Sequence, residues 1–168
     1  MKSILFLFFI GVRSSIKYTP KRIPEKSALN EVFLVFGALL VLVCWKLLLE
    51  LGLWQWIMDN WPFEYGRANS RNLIAPTGVL GLLVAVSWWT LIKKYFAKDK
   101  VVKRIYKAFD TKVGKNLAEK YDSMPIVLMF FNAFAGAMFA GGFWVIFGLC
   151  VVVWVAIEFW VIKTFYSK

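Results

Sequence analysis

VFLVFGALLVLVCWKLLLELGLWQWIM, residues 32–58, is a long apolar stretch of the chain. As an α-helix its 27 residues would extend about 40 Å, at ~1.5 Å per residue. The hydrocarbon core of a bilayer is only about 30 Å thick. The stretch therefore predicts a membrane-spanning helix.

The composition of the whole chain agrees with that prediction. Of its 168 residues, 60% are hydrophobic and 18% are charged. In soluble domains about half of the residues are hydrophobic and about a quarter are charged. Further apolar stretches predict three more spans, at about 73–92, 124–143 and 144–162. We therefore expect an all-α, polytopic integral membrane protein with four transmembrane helices.

Residues 1–31 are predicted to form an N-terminal region ahead of a transmembrane helical domain, residues 32–168. The region begins with an apolar run at 1–12, which resembles the front of a signal peptide but is too short to span and has no clear cleavage site. A mitochondrial presequence is the alternative, because basic residues precede any acidic one. We expect a retained segment that lies in the membrane interface or packs on a partner. Residues 14–27, with two prolines, are expected to be an extended basic linker.

The distribution of charge predicts the topology. The net charge is +11, and residues 93–120 alone carry ten Lys/Arg against three Asp/Glu, whereas residues 59–72 are neutral. By the positive-inside rule, residues 93–120 and both termini should lie on the cytoplasmic or matrix side. Because the basic residues flank apolar segments, we expect no nucleic acid among the partners.

Apolar residues recur at helical spacing within residues 93–120, including Val101, Ile105 and Phe109. This pattern predicts a basic amphipathic helical segment on the surface of an anionic leaflet, so that anionic phospholipids are expected partners there. The alternative is a docking helix for a soluble partner.

Charged and polar residues inside the predicted spans are the main candidate site residues, because a charge at the bilayer centre costs about 2.5 to 3.5 kcal/mol. Lys46 and Glu50 are four residues apart and so share one helical face, which permits an ion pair. The pair would serve either as a proton or ion relay or, as we prefer, as a structural contact. Glu158 is expected near an interface, and Asn132 is expected to hydrogen-bond between helices.

Small residues in the third predicted span predict a face for close helix packing. One continuous helix over residues 124–166 would extend about 65 Å and overshoot any bilayer, so a turn is predicted at Gly141 and Gly142. The predicted packing face consists of Ala133, Gly136, Ala137, Ala140 and Gly141.

Other kinds of site lack the residues that they need. The chain has no histidine, which excludes imidazole ligands and a histidine base. Cys44 and Cys150 have no second ligand nearby and predict neither a metal pair nor a disulfide. No nucleotide-binding loop, zinc-protease motif or nucleophile elbow occurs. We therefore predict no catalytic, cofactor-binding or metal-binding residues, and expect bound lipid.

These features favour a small structural or accessory subunit of a multi-subunit membrane complex, of the respiratory, transport or secretion type. Its partners would be other membrane protein subunits. A transporter or an ion or proton channel component, using Lys46, Glu50 and Asn132, is the alternative, and a membrane-bound enzyme is the second alternative. A bacterial inner membrane fits the N-terminus best, and a mitochondrial inner membrane comes second.

Overall fold

A computed structural model describes residues 2–21, 23–62 and 75–166 of the chain. All regular secondary structure in these residues is helical, which confirms the all-α prediction. The helices are α1 (Lys2–Tyr18), α2 (Pro24–Glu50), α3 (Leu53–Asp59), α4 (Pro76–Phe96), α5 (Asp99–Phe109), α6 (Lys112–Lys120), α7 (Met124–Ala140) and α8 (Trp144–Phe165).

Three helices, α2, α4 and α8, are long and apolar enough to cross a membrane, so the chain is compatible with a transmembrane protein. The predicted span at 124–143 corresponds to α7, which has 17 residues. Seventeen residues are at the lower limit of length for a membrane-spanning helix, and the preceding helix α6 is bent from α7 by 60°. Three of the four predicted spans are thus supported, and the span at 124–143 stays a prediction.

The first apolar stretch is divided between two helices. The structure corrects the predicted span at 32–58, because α2 begins at Pro24 and ends at Glu50. Proline suits the first turn of a helix, where its missing N–H would have no partner. The helix breaks at Gly52, whose φ of 70° is a left-handed conformation that glycine adopts without steric cost. The residues on both sides of Gly52 are apolar, so the apolar pattern alone did not predict the break.

The predicted bounds of the second span, 73–92, and of the last span, 144–162, are close to those of α4 and α8. The second predicted span, 73–92, corresponds to α4, although residues 73 and 74 lie outside the described residues. The neutral loop at 59–72 lies outside them from residue 63 onward. Between α7 and α8, residues 141–143 form the predicted turn.

The N-terminal helix α1 packs against other helices of its own chain, which corrects the expectations of an extended linker and of a segment packed on a partner, whereas a place in the membrane interface stays a prediction. Residues 14–27 are not an extended linker, because α1 continues to Tyr18 and α2 begins at Pro24. Residues 2–12 pack within the chain, against α2, α5, α6 and α8. A helix that is apolar all round is buried rather than laid on a surface. The most deeply buried apolar side chains of α1 are Phe6, Leu7, Phe8, Phe9, Ile10 and Val12.

Helices α5 and α6, from the basic segment, cover α1 on one side. Ile105 and Phe109 of α5 are buried, and the ring of Phe109 lies 5.3 Å from that of Phe6 and 5.9 Å from that of Phe9. The apolar face of α5 is therefore occupied within the chain. The expected insertion of that apolar face into a leaflet surface therefore does not fit, because α1 supplies a closer apolar partner, whereas contact of the basic segment with anionic lipid stays a prediction.

Candidate functional site

Glu158 of α8 binds the first turn of α1. One carboxylate oxygen accepts a hydrogen bond from the backbone N–H of Lys2 at 2.6 Å, and the other accepts from the N–H and the hydroxyl of Ser3 at 2.8 and 2.6 Å. The first N–H groups of a helix have no intrahelical partner and carry partial positive charge. The contact thus explains an acidic residue in an apolar helix, and it fixes α1 to α8.

A cavity of about 690 Å³ lies beside this contact, and we call it the basic cavity. Lys2 of α1, Arg104 and Lys107 of α5, and Glu158 form its charged wall, so three cations face one carboxylate. The ammonium of Lys2 lies 3.2 Å from the ring centroid of Tyr166. Neither Arg104 nor Lys107 makes an ion pair with an acidic residue in the described part of the chain. The cavity therefore has positive charge available to an anionic ligand.

Tyr166 adds a hydrogen-bonding group to the same cavity. Burial raises the pKa of its phenol above the ordinary value, and the nearby Glu158 and Tyr95 raise that pKa further. The phenol is therefore protonated at neutral pH and can donate a hydrogen bond. The sequence does not predict this site, because its residues come from helices that only the fold brings together. A local signal was available in the basic pair Arg104 and Lys107, which share one face of a helix.

The predicted pair of Lys46 and Glu50 lies at the C-terminal end of α2. Lys46 Nζ is 2.6 Å from Glu50 Oε1, and the two side chains are 18% and 59% exposed, respectively. Glu50 is the last residue of α2, one turn before the start of α3. The geometry is that of an ion pair on one helical face, and its functional role stays a prediction.

Asn132 joins three helices. It is fully buried, its Nδ2 donates to the carbonyl oxygen of Val35 at 2.7 Å, and its Oδ1 accepts from the indole N–H of Trp154 at 2.7 Å. Along α2, Val35 is eleven residues from Lys46, a separation of about 16 Å. The structure therefore does not bring Asn132 together with the Lys46 and Glu50 pair.

The predicted packing face of α7 is divided. At Gly136, an added Cβ would lie 3.2 Å from the Cα of Leu39 and 3.0 Å from the side chain of Leu42, so the backbones of α7 and α2 approach closely there. Buried neighbours on the same side of α7 are Leu128, Asn132 and Ala135. The remaining members of the predicted face are half-buried or exposed: Ala133, Ala137, Ala140 and Gly141.

The sequence matches no protein-family model, and no curated protein or solved structure is significantly similar to it. The function is therefore argued from the contacts, burial and charge of the chain itself.

Proposed function

We propose that this protein is a non-catalytic accessory subunit of a larger membrane complex, of the respiratory, transport or secretion type. The observation that carries the proposal is the use of polar groups within the apolar helices. Asn132 and Glu158 bond to neighbouring helices of the same chain, and Lys46 pairs with Glu50. Asn132 and Glu158 thus connect helices, and Lys46 is paired within α2, so each of these polar groups has a structural role.

The alternative of a transporter or channel component receives less support. It requires Lys46, Glu50 and Asn132 to face one cavity. The carbonyl that binds Asn132 lies about 16 Å along α2 from Lys46. A polar path would have to bridge that distance through apolar side chains.

In the proposed arrangement α7 also crosses the membrane, as a fourth span. The C-terminal half of α8 meets α1 through Glu158, and the start of α7 lies at the same end, where Met124 and Trp160 line one cavity. A helix that begins at this end and is followed by a tight turn into α8 must run to the other side. We place α1, α5 and α6 on the cytoplasmic or matrix side, as the positive-inside rule favours. A bacterial inner membrane is the proposed location, with a mitochondrial inner membrane second.

An accessory subunit needs an outward surface for its neighbours, and α7 has a suitable one. Phe130 and Phe134 are four residues apart, so they form one ridge on the helix. They are 66% and 49% exposed. Aromatic side chains are enriched at protein interfaces, and we propose this phenylalanine ridge as a contact with another subunit.

Site-specific photo-crosslinking tests the proposal. A benzophenone amino acid is introduced in cells at Phe130 or at Phe134, and at Leu128 as the control, since Leu128 is on the same helix but buried. We expect both ridge positions, and not Leu128, to crosslink to one protein of constant mass that co-purifies at fixed stoichiometry. Adducts with lipid alone at both ridge positions would contradict the subunit proposal. A crosslink only to a second copy of the chain would also contradict it.

A further inference from the structure

Two apolar cavities continue from the basic cavity along α4. The first, of about 230 Å³, shares Leu5 and Tyr95 with the basic cavity. The second, of about 420 Å³, shares Trp88 and Leu91 with the first and extends to Leu83. We call these two cavities together the α4 groove. The basic cavity and the two cavities of the α4 groove thus adjoin one another through shared lining residues, with the charged cavity at one end and the apolar cavities beyond it.

The length of the α4 groove fits one leaflet of a bilayer. From Tyr95 to Leu83 the helix advances twelve residues, about 18 Å at ~1.5 Å per residue. Half of a ~30 Å hydrocarbon core is about 15 Å. With the basic cavity at the interface, the groove therefore extends through the hydrocarbon of the adjacent leaflet.

We infer that the basic cavity and the α4 groove bind one anionic glycerophospholipid from the leaflet on the side of α5, with its phosphate near Arg104 and Lys107 and an acyl chain along α4. This inference goes beyond the proposed function and takes from it only the orientation of the helices in the membrane. It also assigns the lipid of the basic segment to a particular site.

Charge and shape together select this occupant. Three cationic side chains against one carboxylate leave two positive charges in the basic cavity, and basic pockets between helices on the cytoplasmic side are suited to anionic lipid headgroups. The Tyr166 phenol can donate to a phosphate oxygen. A zwitterionic headgroup would bring its own cation toward Lys2 and Arg104. A small soluble anion would leave the apolar groove unfilled.

Native mass spectrometry of the purified protein tests the headgroup. The protein is delipidated in mild detergent and titrated with phosphatidylglycerol or with phosphatidylcholine of identical acyl chains. We expect one phosphatidylglycerol to bind per chain, and phosphatidylcholine to bind at least tenfold more weakly. Equal binding of the two lipids would overturn the inference, because the positive charge would then select nothing.

A matched pair of variants tests the location. The double variant Arg104→Gln/Lys107→Gln should lose about 30-fold in affinity for phosphatidylglycerol, since each basic residue near an anionic surface contributes about fivefold. The control, Lys100→Gln/Lys103→Gln, removes the same charge from the same helix at exposed positions that do not line the cavity. Equal losses in the two variants would mean that general charge attraction, rather than this site, holds the lipid.

A second pair of variants tests the groove. Leu91 lines both apolar cavities, and Leu82 is an exposed residue of α4 that lines neither. Leu91→Trp should fill the groove and lower the affinity for phosphatidylglycerol, whereas Leu82→Trp should leave that affinity unchanged. Equal affinities of the two variants would overturn the assignment of the acyl chain.

Selective retention of an isoprenyl phosphate in place of phosphatidylglycerol would overturn the choice of glycerophospholipid.

The lipid test and the crosslinking test can fail separately. Because lipid binding is measured on the isolated chain, it does not depend on a partner subunit. Failure of the phenylalanine ridge to crosslink a partner would thus leave this inference standing, and loss of lipid selectivity would leave the subunit proposal standing.

Discussion

Phe9 and Phe159 have the same side chain in two regions of the protein and opposite surroundings. Phe9 of α1 is 0% exposed, enclosed by the rings of Tyr106 and Phe109 among others, whereas Phe159 of α8 is 67% exposed. The first belongs to a region organised around α1, whose apolar side chains from Phe6 to Val12 are buried as in the core of a soluble domain. The second lies on the outer surface of a helix that is long and apolar enough to cross a membrane.

The difference shows that apolar side chains in this chain are of two kinds, those packed within the fold and those on its outer surface. Around α1, apolar side chains are buried against one another, so removing one leaves a void. On the outside of α8, apolar side chains face the bilayer or a partner, so removing one changes only the outer contact. The three predictions below test this contrast, from the largest expected effect to the smallest.

The largest effect is expected from truncation inside the α1 region. Phe9→Ala removes a fully buried ring and should lower the free energy of unfolding by about 3 to 5 kcal/mol. Phe159→Ala, the control, removes the same atoms from an exposed position and should cost less than about 1 kcal/mol in the isolated chain. Thermal unfolding of both variants in the same detergent measures the difference. Similar losses would mean that the α1 region is not a packed core.

An intermediate effect is expected where α7 approaches α2. Gly136→Leu places a large side chain against Leu39 and Leu42, and should destabilise the protein by about 1 to 3 kcal/mol through overpacking. Gly148→Leu is the control, since a Cβ at Gly148 meets nothing within 4 Å. The readout is the midpoint of unfolding in a denaturing detergent. If the Gly136 variant matches its control, the contact between α7 and α2 is looser than the structure shows.

The smallest effect is expected at the Lys46 and Glu50 pair. More than half of the Glu50 side chain is exposed, and exposed ion pairs contribute about 0 to 1 kcal/mol. Lys46→Met and Glu50→Gln should therefore each shift the unfolding midpoint only slightly. The double variant should be no less stable than either single variant, because no charge is left without its partner. A loss above about 3 kcal/mol in the Lys46 variant would instead indicate a second, buried partner for that ammonium.

Secondary structure was largely predictable, because its signals are local. Long apolar runs predicted the positions of α2, α4 and α8, and the double glycine at 141–142 predicted the turn before α8. Helix ends were less predictable where hydrophobicity did not change. The break at Gly52 depends on one backbone angle, and the early start of α2 places a polar, proline-containing segment, residues 24–31, in a helix.

The candidate site was not predictable from local patterns. Glu158 was expected near an interface, yet its partners are the first residues of the chain, which lie 155 or more positions away. Arg104 and Lys107 were part of a general basic segment, and nothing in their spacing connects them to Tyr166. A site assembled from α1, α4, α5 and α8 has only one local signal, the basic pair in α5, and that pair does not indicate its partners in the other helices.

The sequence by itself determined that the chain is helical and compatible with a membrane, because length and hydropathy set the solvent in which each helix is stable. It also determined the positive charge of the segment that became α5 and α6. Only the tertiary structure decided which apolar helix is enclosed and which is exposed. Hydrophobicity does not rank the two kinds by burial, because the enclosed α1 is less apolar than the exposed α8, and burial depends on the neighbours that the fold supplies. The short helix α1 is buried because α2, α5, α6 and α8 surround it, and the basic cavity exists because they do so incompletely.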